Sequence, residues 1–222
     1  MRKMALSLTM LMTSAAFADT TTPDQISTQA AADVGALAQQ IIQQDFQNNF
    51  QIQDVVQVAK QAQQLLSKYP HMTLDQLRST IVQVVSTVVD ELGSKFIPEF
   101  LLDPIVKAIL NPLVHALIPD PDPSQTLTPI AGQPSSDDLS QFIDQMIQST
   151  GSTLHPVHLP ANIVTIVAQC NRYTDLTDDQ KCTCATTMYA DFLQKTDTFL
   201  MPDFLIDPIL DKLGNALIQE LL

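Results

Sequence analysis

A nine-residue stretch that occurs twice constrains the fold of this chain more than any other feature. Residues 97–105 read IPEFLLDPI, and residues 201–209, 104 positions later, read MPDFLIDPI. The same offset holds without a gap from 66–118 to 170–222, where it also aligns two tyrosines and two Thr-x-x-Gln patterns. Several motifs at one spacing predict an internal duplication, as two four-helix units or as one bundle made from two half-sets.

Composition and apolar spacing indicate an all-α chain. Leu, Ile, Val, Ala and Gln dominate the sequence, which has 5 glycines and no tryptophan, a bias toward helix. Apolar residues recur at three- and four-residue steps in segments beginning near Asp24, Ile52 and Leu139. The β-branched run 81–89 could form a strand, but its spacing favours a helix that Gly93 ends. We therefore expect a helical bundle built from two related halves of about four helices each.

Four polar residues are predicted to begin helices. Thr73 and Thr177 each stand three residues before a glutamine, the capping-box spacing in which two otherwise unpaired backbone N–H groups are satisfied reciprocally. Asp103 and Asp207 each precede a proline, and an Asp N-cap with proline at the first helical position is a strong start signal. This role explains both aspartates without catalysis. It also places Pro112 inside a helix, where it should cause a kink.

Residues 1–18 are predicted to be a secretory signal peptide. Arg2 and Lys3 precede a short apolar run, and Ala16-Phe17-Ala18 fits the small-residue cleavage pattern. Cleavage after Ala18 would make Asp19 the first residue of the mature protein. The apolar run is too short to span a bilayer core of about 30 Å. The short basic start is typical of bacterial signals, so we expect a periplasmic or secreted protein.

The rest of the chain is predicted to form three parts. A first helical repeat covers 19–118, a Pro-rich linker covers 119–136, and a second helical repeat with all the cysteines covers 137–222. The linker begins with prolines alternating with aspartates at 119–123. Because proline cannot continue a helix, these residues end the first repeat.

The charge balance argues against nucleic acid and anionic lipid as partners. The chain has 24 acidic residues against 11 Lys and Arg, a formal net charge of −13. Loss of the two basic residues in 1–18 would make it −15. Such a chain has no basic patch to replace the counterions of phosphates. Charged residues within the apolar segments 96–118 and 199–222 also oppose a membrane span. Solubility, buried helices and a basic partner fit this balance.

Cys170, Cys182 and Cys184 are the only cysteines, and an exported chain with cysteines suggests a disulfide. At 100° per residue, Cys182 lies about 60° and Cys184 about 100° from the centre of the predicted inward stripe. That stripe consists of Ala185, Met188, Tyr189 and Phe192. Cys170–Cys182 is therefore the preferred pair, with Cys184 as the alternative partner. The third thiol would be left for an intermolecular disulfide, and hence a linked dimer, or for a reactive site.

Other uses of the cysteines compete with a structural disulfide. C-x-C with a third cysteine could bind Cu(I) or zinc, and His155 and His158 could join it. However, prolines next to this H-x-x-H pattern place both histidines in a linker, and the C-x-x-C of thioredoxin-like proteins is absent from the sequence. His71 and His115 are isolated and predicted to lie on the surface. We therefore predict no metal ligand, no cofactor and no catalytic residue.

These patterns lead to three functional hypotheses. The leading one is a non-enzymatic exported protein that binds or scaffolds another protein in the envelope or outside the cell, including a host-directed secreted factor. The alternative is a periplasmic carrier of a small apolar ligand or lipid within the bundle. The third is an enzyme of unfamiliar type, because the sequence lacks G-x-S-x-G, H-E-x-x-H, P-loop and G-x-G-x-x-G motifs.

Overall fold

The three-and-four spacing of apolar residues produces helices in most of the chain that the structure describes. The computed structural model describes residues 23–46, 50–69, 72–96, 99–120, 127–198 and 203–222; the predicted signal peptide and His71 lie outside these ranges. Within them the chain is mostly helical, with eight α-helices, and the all-α prediction is confirmed. The helices are α1 (Pro23–Asp45), α2 (Asp54–Leu66), α3 (Leu74–Phe96), α4 (Glu99–Leu117), α5 (Ser136–Thr150), α6 (Leu159–Asn171), α7 (Asp178–Gln194) and α8 (Asp203–Leu221).

The helices of the two halves pack in corresponding ways. In the first half α1, α2 and α4 contact α3, and in the second half α5, α6 and α8 contact α7. The halves meet where α4 packs on α6 and where α2 packs on α8. Since α2 and α4 hold the chain positions that α6 and α8 hold in the second half, each half offers the other the same two helices. Buried side chains from both halves form one continuous hydrophobic core. The described helices form one bundle around a single core, and the internal duplication remains a prediction.

The two Asp-Pro pairs do not begin helices, and the prediction that Asp103 and Asp207 are N-caps is wrong. α4 begins at Glu99 and α8 at Asp203, so both aspartates lie inside their helices. In α8 the reason is tertiary packing. Ile206 is fully buried, and the helical turn before Pro208 places it in the core. That proline removes one backbone hydrogen bond near the start of the helix, a local cost that packing can exceed.

The capping boxes are present as predicted, whereas the glycine stop is not. The Gln76 N–H donates to Thr73 Oγ1, and the Gln76 side chain accepts from the Thr73 N–H. Thr177 and Gln180 make the same reciprocal pair at the start of α7. α3 continues through Gly93 to Phe96, because a glycine inside a helix costs only about 1 kcal/mol and does not by itself end it.

The second half contains small elements that the spacing of apolar residues did not predict. β1 (Thr153–Leu154) pairs in parallel with β2 (Asp197–Thr198), and a 3-10 turn, Pro156–His158, leads into α6. Ser135 caps α5 through a capping box with Asp138. β1 and the 3-10 turn lie just before α6, and β2 lies just after α7, so the pairing of the two strands joins the start of α6 to the end of α7.

The apolar segments of α4 and α8 contribute to the core. Their described buried residues are Val106, Ile109, Leu110, Leu113 and Val114 in α4, and Ile206, Leu210, Leu213, Leu217 and Ile218 in α8. Among the described residues, no helix is both long and apolar enough to cross a bilayer. The apolarity of these two helices is accounted for by helix–helix packing.

Candidate functional site

The cysteines lie at the corner of the second half where α6 ends and α7 begins. Cys170 is the penultimate residue of α6, and Cys182 and Cys184 lie in the first two turns of α7. The Sγ atoms of Cys170 and Cys184 are 3.0 Å apart, and both residues are buried. The Sδ atom of Met188 is 3.6 Å and 3.9 Å from these two atoms. Cys170, Cys184 and Met188 are called the sulfur cluster below.

The prediction that Cys182 would be the neighbour of Cys170 is wrong. α7 packs against three helices, α5, α6 and α8. Its Tyr189 hydroxyl donates to the carbonyl of Leu210 in α8 at 2.6 Å, and its Cys184 side faces α6. Side chains two positions apart on a helix point about 200° apart around its axis. Cys182 is therefore turned away from Cys170 and is only half-buried. The sequence argument assumed that the centre of the buried stripe faces α6.

All three cysteines are free thiols in the structure, because 3.0 Å exceeds the length of an S–S bond, about 2.05 Å. The contact makes the two buried thiols unequal. The Cys170 thiol donates a hydrogen bond to Cys184, which raises the pKa of Cys170, and burial and the nearby Cys184 charge raise it further. The same hydrogen bond lowers the pKa of Cys184, although burial opposes it. The hydrogen bond therefore makes Cys184 the more acidic of the two thiols.

Part of the predicted linker lies directly on this corner. Residues 127–134 are called the strap. Ile130 in the strap forms a one-residue parallel bridge with Tyr173, two residues after the end of α6. The Ile130 N–H donates to the Arg172 carbonyl at 2.7 Å, and the Thr174 N–H donates to the Ile130 carbonyl at 3.1 Å. The strap is thus held by main-chain groups that lie within four residues of Cys170.

Two further hydrogen bonds hold the strap on either side of Ile130. The Arg172 Nε–H donates to the Thr128 carbonyl at 3.0 Å, and the Gly132 N–H donates to Asp175 Oδ2 at 2.6 Å. Gly132 has φ of 94°, a backbone conformation that side-chain-bearing residues rarely adopt. The glycine therefore allows the strap to turn so that its N–H meets the carboxylate.

A surface cleft of about 390 Å³ opens between the strap, α5 and the end of α6. It is called the strap cleft. Its walls are mainly amide and aromatic side chains: Gln133, Gln141, Gln145, Gln169, Phe142 and Tyr173. Two charged residues, Asp138 and Arg172, also line it. Hydrogen bonds from Ser135 lower the pKa of Asp138, so this wall carries a carboxylate at neutral pH. The cleft presents hydrogen-bonding groups of both polarities.

The two histidines of the metal hypothesis lie in a different place from the thiols. The His155 and His158 rings are 6.0 Å apart between centroids and line a surface pocket of about 360 Å³ together with Asn162 and Phe192. None of the three cysteines is among the residues lining that pocket. In the part of the chain that the structure describes, no three His, Cys, Asp or Glu side chains are grouped to hold a metal ion.

Arg78, the first-half counterpart of Cys182, is a structural residue that the apolar pattern did not single out. Its buried guanidinium donates to the Ile118 carbonyl from Nε at 2.9 Å and from its second terminal nitrogen at 2.6 Å. It also bonds Asp120 at 2.9 Å. Arg78 therefore fixes the end of α4, where the linker begins. A lone arginine on an apolar helix face was the available sequence signal.

No family model matches this chain, and neither the curated proteins nor the solved structures contain a significant match. The geometry is therefore the basis for function. It brings together the cysteines of the second half and the linker that precedes that half. The sequence did not single out Ile130, Gln169 and Arg172. Ile130 lies 39 positions or more before the other two in sequence, so no local pattern predicts that it lines the same cleft.

Proposed function

We propose that this chain is an exported bacterial protein that binds another protein without catalysing a reaction, and that the partner docks at the strap cleft. The strap is the observation that carries this proposal. The corner already holds one polypeptide segment through main-chain hydrogen bonds at Ile130. Binding through main-chain groups is a common way for proteins to recognise a peptide. A partner segment beside the strap would extend the same kind of contact.

The chemistry of the cleft supports a peptide as the bound group. Each glutamine amide offers a donor and an acceptor, so Gln141 and Gln145 can pair with either main-chain group of a partner. Phe142 adds an apolar surface to the same wall. A volume of about 390 Å³ is within the usual range for a binding pocket. Amide and aromatic side chains at one cleft favour recognition over bond cleavage.

The charge of the chain supports a basic partner. Its formal net charge is −13, and a strongly acidic protein attracts basic surfaces during diffusional encounter. Such attraction accelerates association more than it strengthens the final complex, and it weakens as salt is added. The proposed complex should therefore form more slowly in high salt.

A non-enzymatic role is supported by how the reactive side chains are used. The Sγ atoms of Cys170 and Cys184 bond to each other and contact Met188, with no imidazole among these partners. His115 is exposed on α4. A cysteine nucleophile normally needs an adjacent base, and the described sulfur contacts do not supply one.

The carrier alternative receives less support from the packing. A cavity among Ile52, Val55, Val106, Ile209 and neighbouring residues of α4 and α8 has a volume of only about 10 Å³, room for about one water molecule. A carrier would have to open this core to admit a lipid. Mass spectrometry of an organic extract tests it: a stoichiometric lipid would favour the carrier, and a clean extract would favour protein binding.

Export and dimerisation belong to the same proposal. Cleavage after Ala18 would deliver the chain to the periplasm or the exterior, and N-terminal sequencing of the exported protein should then begin at Asp19.

Cys182 is the half-buried thiol outside the sulfur cluster, so it is the residue through which a disulfide-linked dimer would form. A non-reducing gel should lose that dimer in Cys182→Ser and keep it in Cys184→Ser.

Photo-crosslinking in the producing cells tests the docking site. A photoreactive amino acid at Gln141, exposed in the strap cleft, should give one adduct of defined mass after irradiation. The matched control places the same group at Gln64, exposed on α2 beside another pocket of about 370 Å³. An adduct specific to Gln141 would support the proposal. Equal adducts at both positions, or none at Gln141, would contradict it.

A further inference from the structure

We infer that Cys170 and Cys184 form a disulfide bond under oxidising conditions, and that this bond secures the corner on which the strap lies. The inference concerns a covalent modification within the chain, and its test does not require the proposed protein partner. It also differs from the pairing that the sequence favours, because Cys182 is excluded from the bond.

Proximity is the first argument. The two Sγ atoms come from different helices, α6 and α7, which are packed directly against each other. Their separation of 3.0 Å must shorten by about 1 Å to reach bonding length. Both side chains are buried in the core, so neighbouring residues already hold the two sulfur atoms against each other. Closing the bond requires a local adjustment of the two side chains.

The position of the third thiol is the second argument. Cys182 precedes Cys184 by two residues on α7 and so points about 200° around the helix from it. It cannot approach Cys170 without rotating α7. The Tyr189 hydroxyl bond to Leu210, on the same side of the helix as Cys182, opposes that rotation. The helix therefore separates the two cysteines of C-x-C, and one thiol remains after the bond closes.

The oxidation can proceed by exchange with an organic disulfide, either a small molecule or a disulfide-bearing oxidoreductase. The Cys184 thiolate attacks one sulfur of that disulfide, and the first thiolate leaves. Cys170 then loses its proton and attacks Cys184 Sγ, which expels the second thiolate. Two protein thiols have lost two electrons and two protons, and the oxidant has been reduced to two thiols.

The link to the strap follows from sequence neighbours. The Tyr173 N–H donates to the Cys170 carbonyl at 3.2 Å, and the flanking residues Arg172 and Thr174 make the main-chain bonds to the strap. The end of a helix is normally among the first parts of a protein to open. A covalent tie at Cys170 restrains the end of α6, and it thereby restrains the groups that hold Ile130.

Peptide mapping of the purified protein tests the bond. After treatment with oxidised glutathione, we expect a Cys170–Cys184 linked peptide and alkylation at Cys182 alone. Cys182→Ser should keep the bond and have no alkylatable thiol. A Cys170–Cys182 bond, or three alkylatable thiols in the wild-type chain, would overturn the inference. Mapping the wild-type chain makes the result independent of whether a cysteine variant folds.

Hydrogen exchange tests the second part of the inference. In the Cys182→Ser variant, the amides of Ile130 and Thr174 should exchange about tenfold more slowly when the bond is formed than when it is reduced. An amide far from the corner, such as that of Val58 in α2, provides the control. Equal rates at Ile130 and Thr174 in the two states would show that the bond does not secure the strap.

Discussion

At the scale of single residues, Gly214 leaves the space that the ring of Tyr189 occupies. A Cβ atom at Gly214 would lie well inside contact distance of the ring atom Cζ of Tyr189. The ring cannot easily withdraw, because Tyr189 is fully buried and its hydroxyl is bonded to the Leu210 carbonyl. Close packing of α7 on α8 therefore depends on the absence of a side chain at this position.

We predict that Gly214→Ala lowers the free energy of unfolding by about 1–3 kcal/mol, the usual cost of overpacking a core. Urea denaturation followed by circular dichroism measures it. Gly35→Ala is the matched control, since a Cβ at Gly35 in α1 meets nothing within 4 Å. That control should be neutral or stabilising by up to about 1 kcal/mol. Equal losses in both variants would contradict the packing explanation.

Asp138 makes a residue-scale prediction about pH. Its pKa is lowered chiefly by the hydrogen bond from the Ser135 hydroxyl, then by that from the Ser135 N–H. The resulting stability is present above the pKa of the unfolded carboxyl, about 3.9, and is lost as pH falls through the lower folded pKa. Ser135→Ala should raise the pKa of Asp138 toward its ordinary value, as measured by NMR titration. An unchanged titration would show that the hydroxyl is not the cause.

At the scale of helices, local signals were predictable and tertiary ones were not. Thr73 and Gln76 lie within one helical turn, so their reciprocal bonds could be predicted from four residues of sequence. The Asp207-Pro208 pair gave an equally clear local signal, but burial of Ile206 extends the helix through it. The bridge between Ile130 and Tyr173 joins residues 43 positions apart, and no short sequence pattern predicts such a contact.

The capping boxes make a prediction for whole helices. Thr177→Ala and Thr73→Ala should each lower the free energy of unfolding by about 1 kcal/mol, because each removes the acceptor for one backbone N–H at a helix start. Thr183→Ala is the control: its exposed hydroxyl bonds a carbonyl within α7, and its loss should change stability by less than about 0.5 kcal/mol. Thermal unfolding of the three variants measures these differences. A similar loss of stability in Thr183→Ala would refute the capping argument.

Side chains at two equivalent positions of the two halves differ in size. At the positions that Tyr189 and Gly214 hold in the second half, the first half holds Val85 and Leu110, both buried. In the second half a large side chain, Tyr189, faces a position without a side chain, Gly214. In the first half both equivalent positions hold side chains of intermediate size. Such compensation is what the duplication hypothesis expects of two halves that diverged while each kept a filled core.

At the scale of the whole molecule, two helical halves share one core and the second half bears the features proposed for function. Contacts between α2 and α8 and between α4 and α6 join the halves, and an ion pair between Lys60 and Glu220 lies across the first of these contacts. Because these contacts involve the buried faces of four helices, neither half could retain its apolar packing if the other unfolded. The strap is held mainly by hydrogen bonds at the surface and should open separately.

Native-state hydrogen exchange in increasing denaturant tests this central claim most directly. Core amides of both halves, such as those of Val58, Leu113, Ile166 and Leu217, should report one free energy of opening, equal within about 1 kcal/mol. The amide of Ile130 in the strap should report a clearly smaller one. A first half that opens at a free energy several kcal/mol below that of the second half would show that the chain has two separate cores and would contradict the single-bundle account.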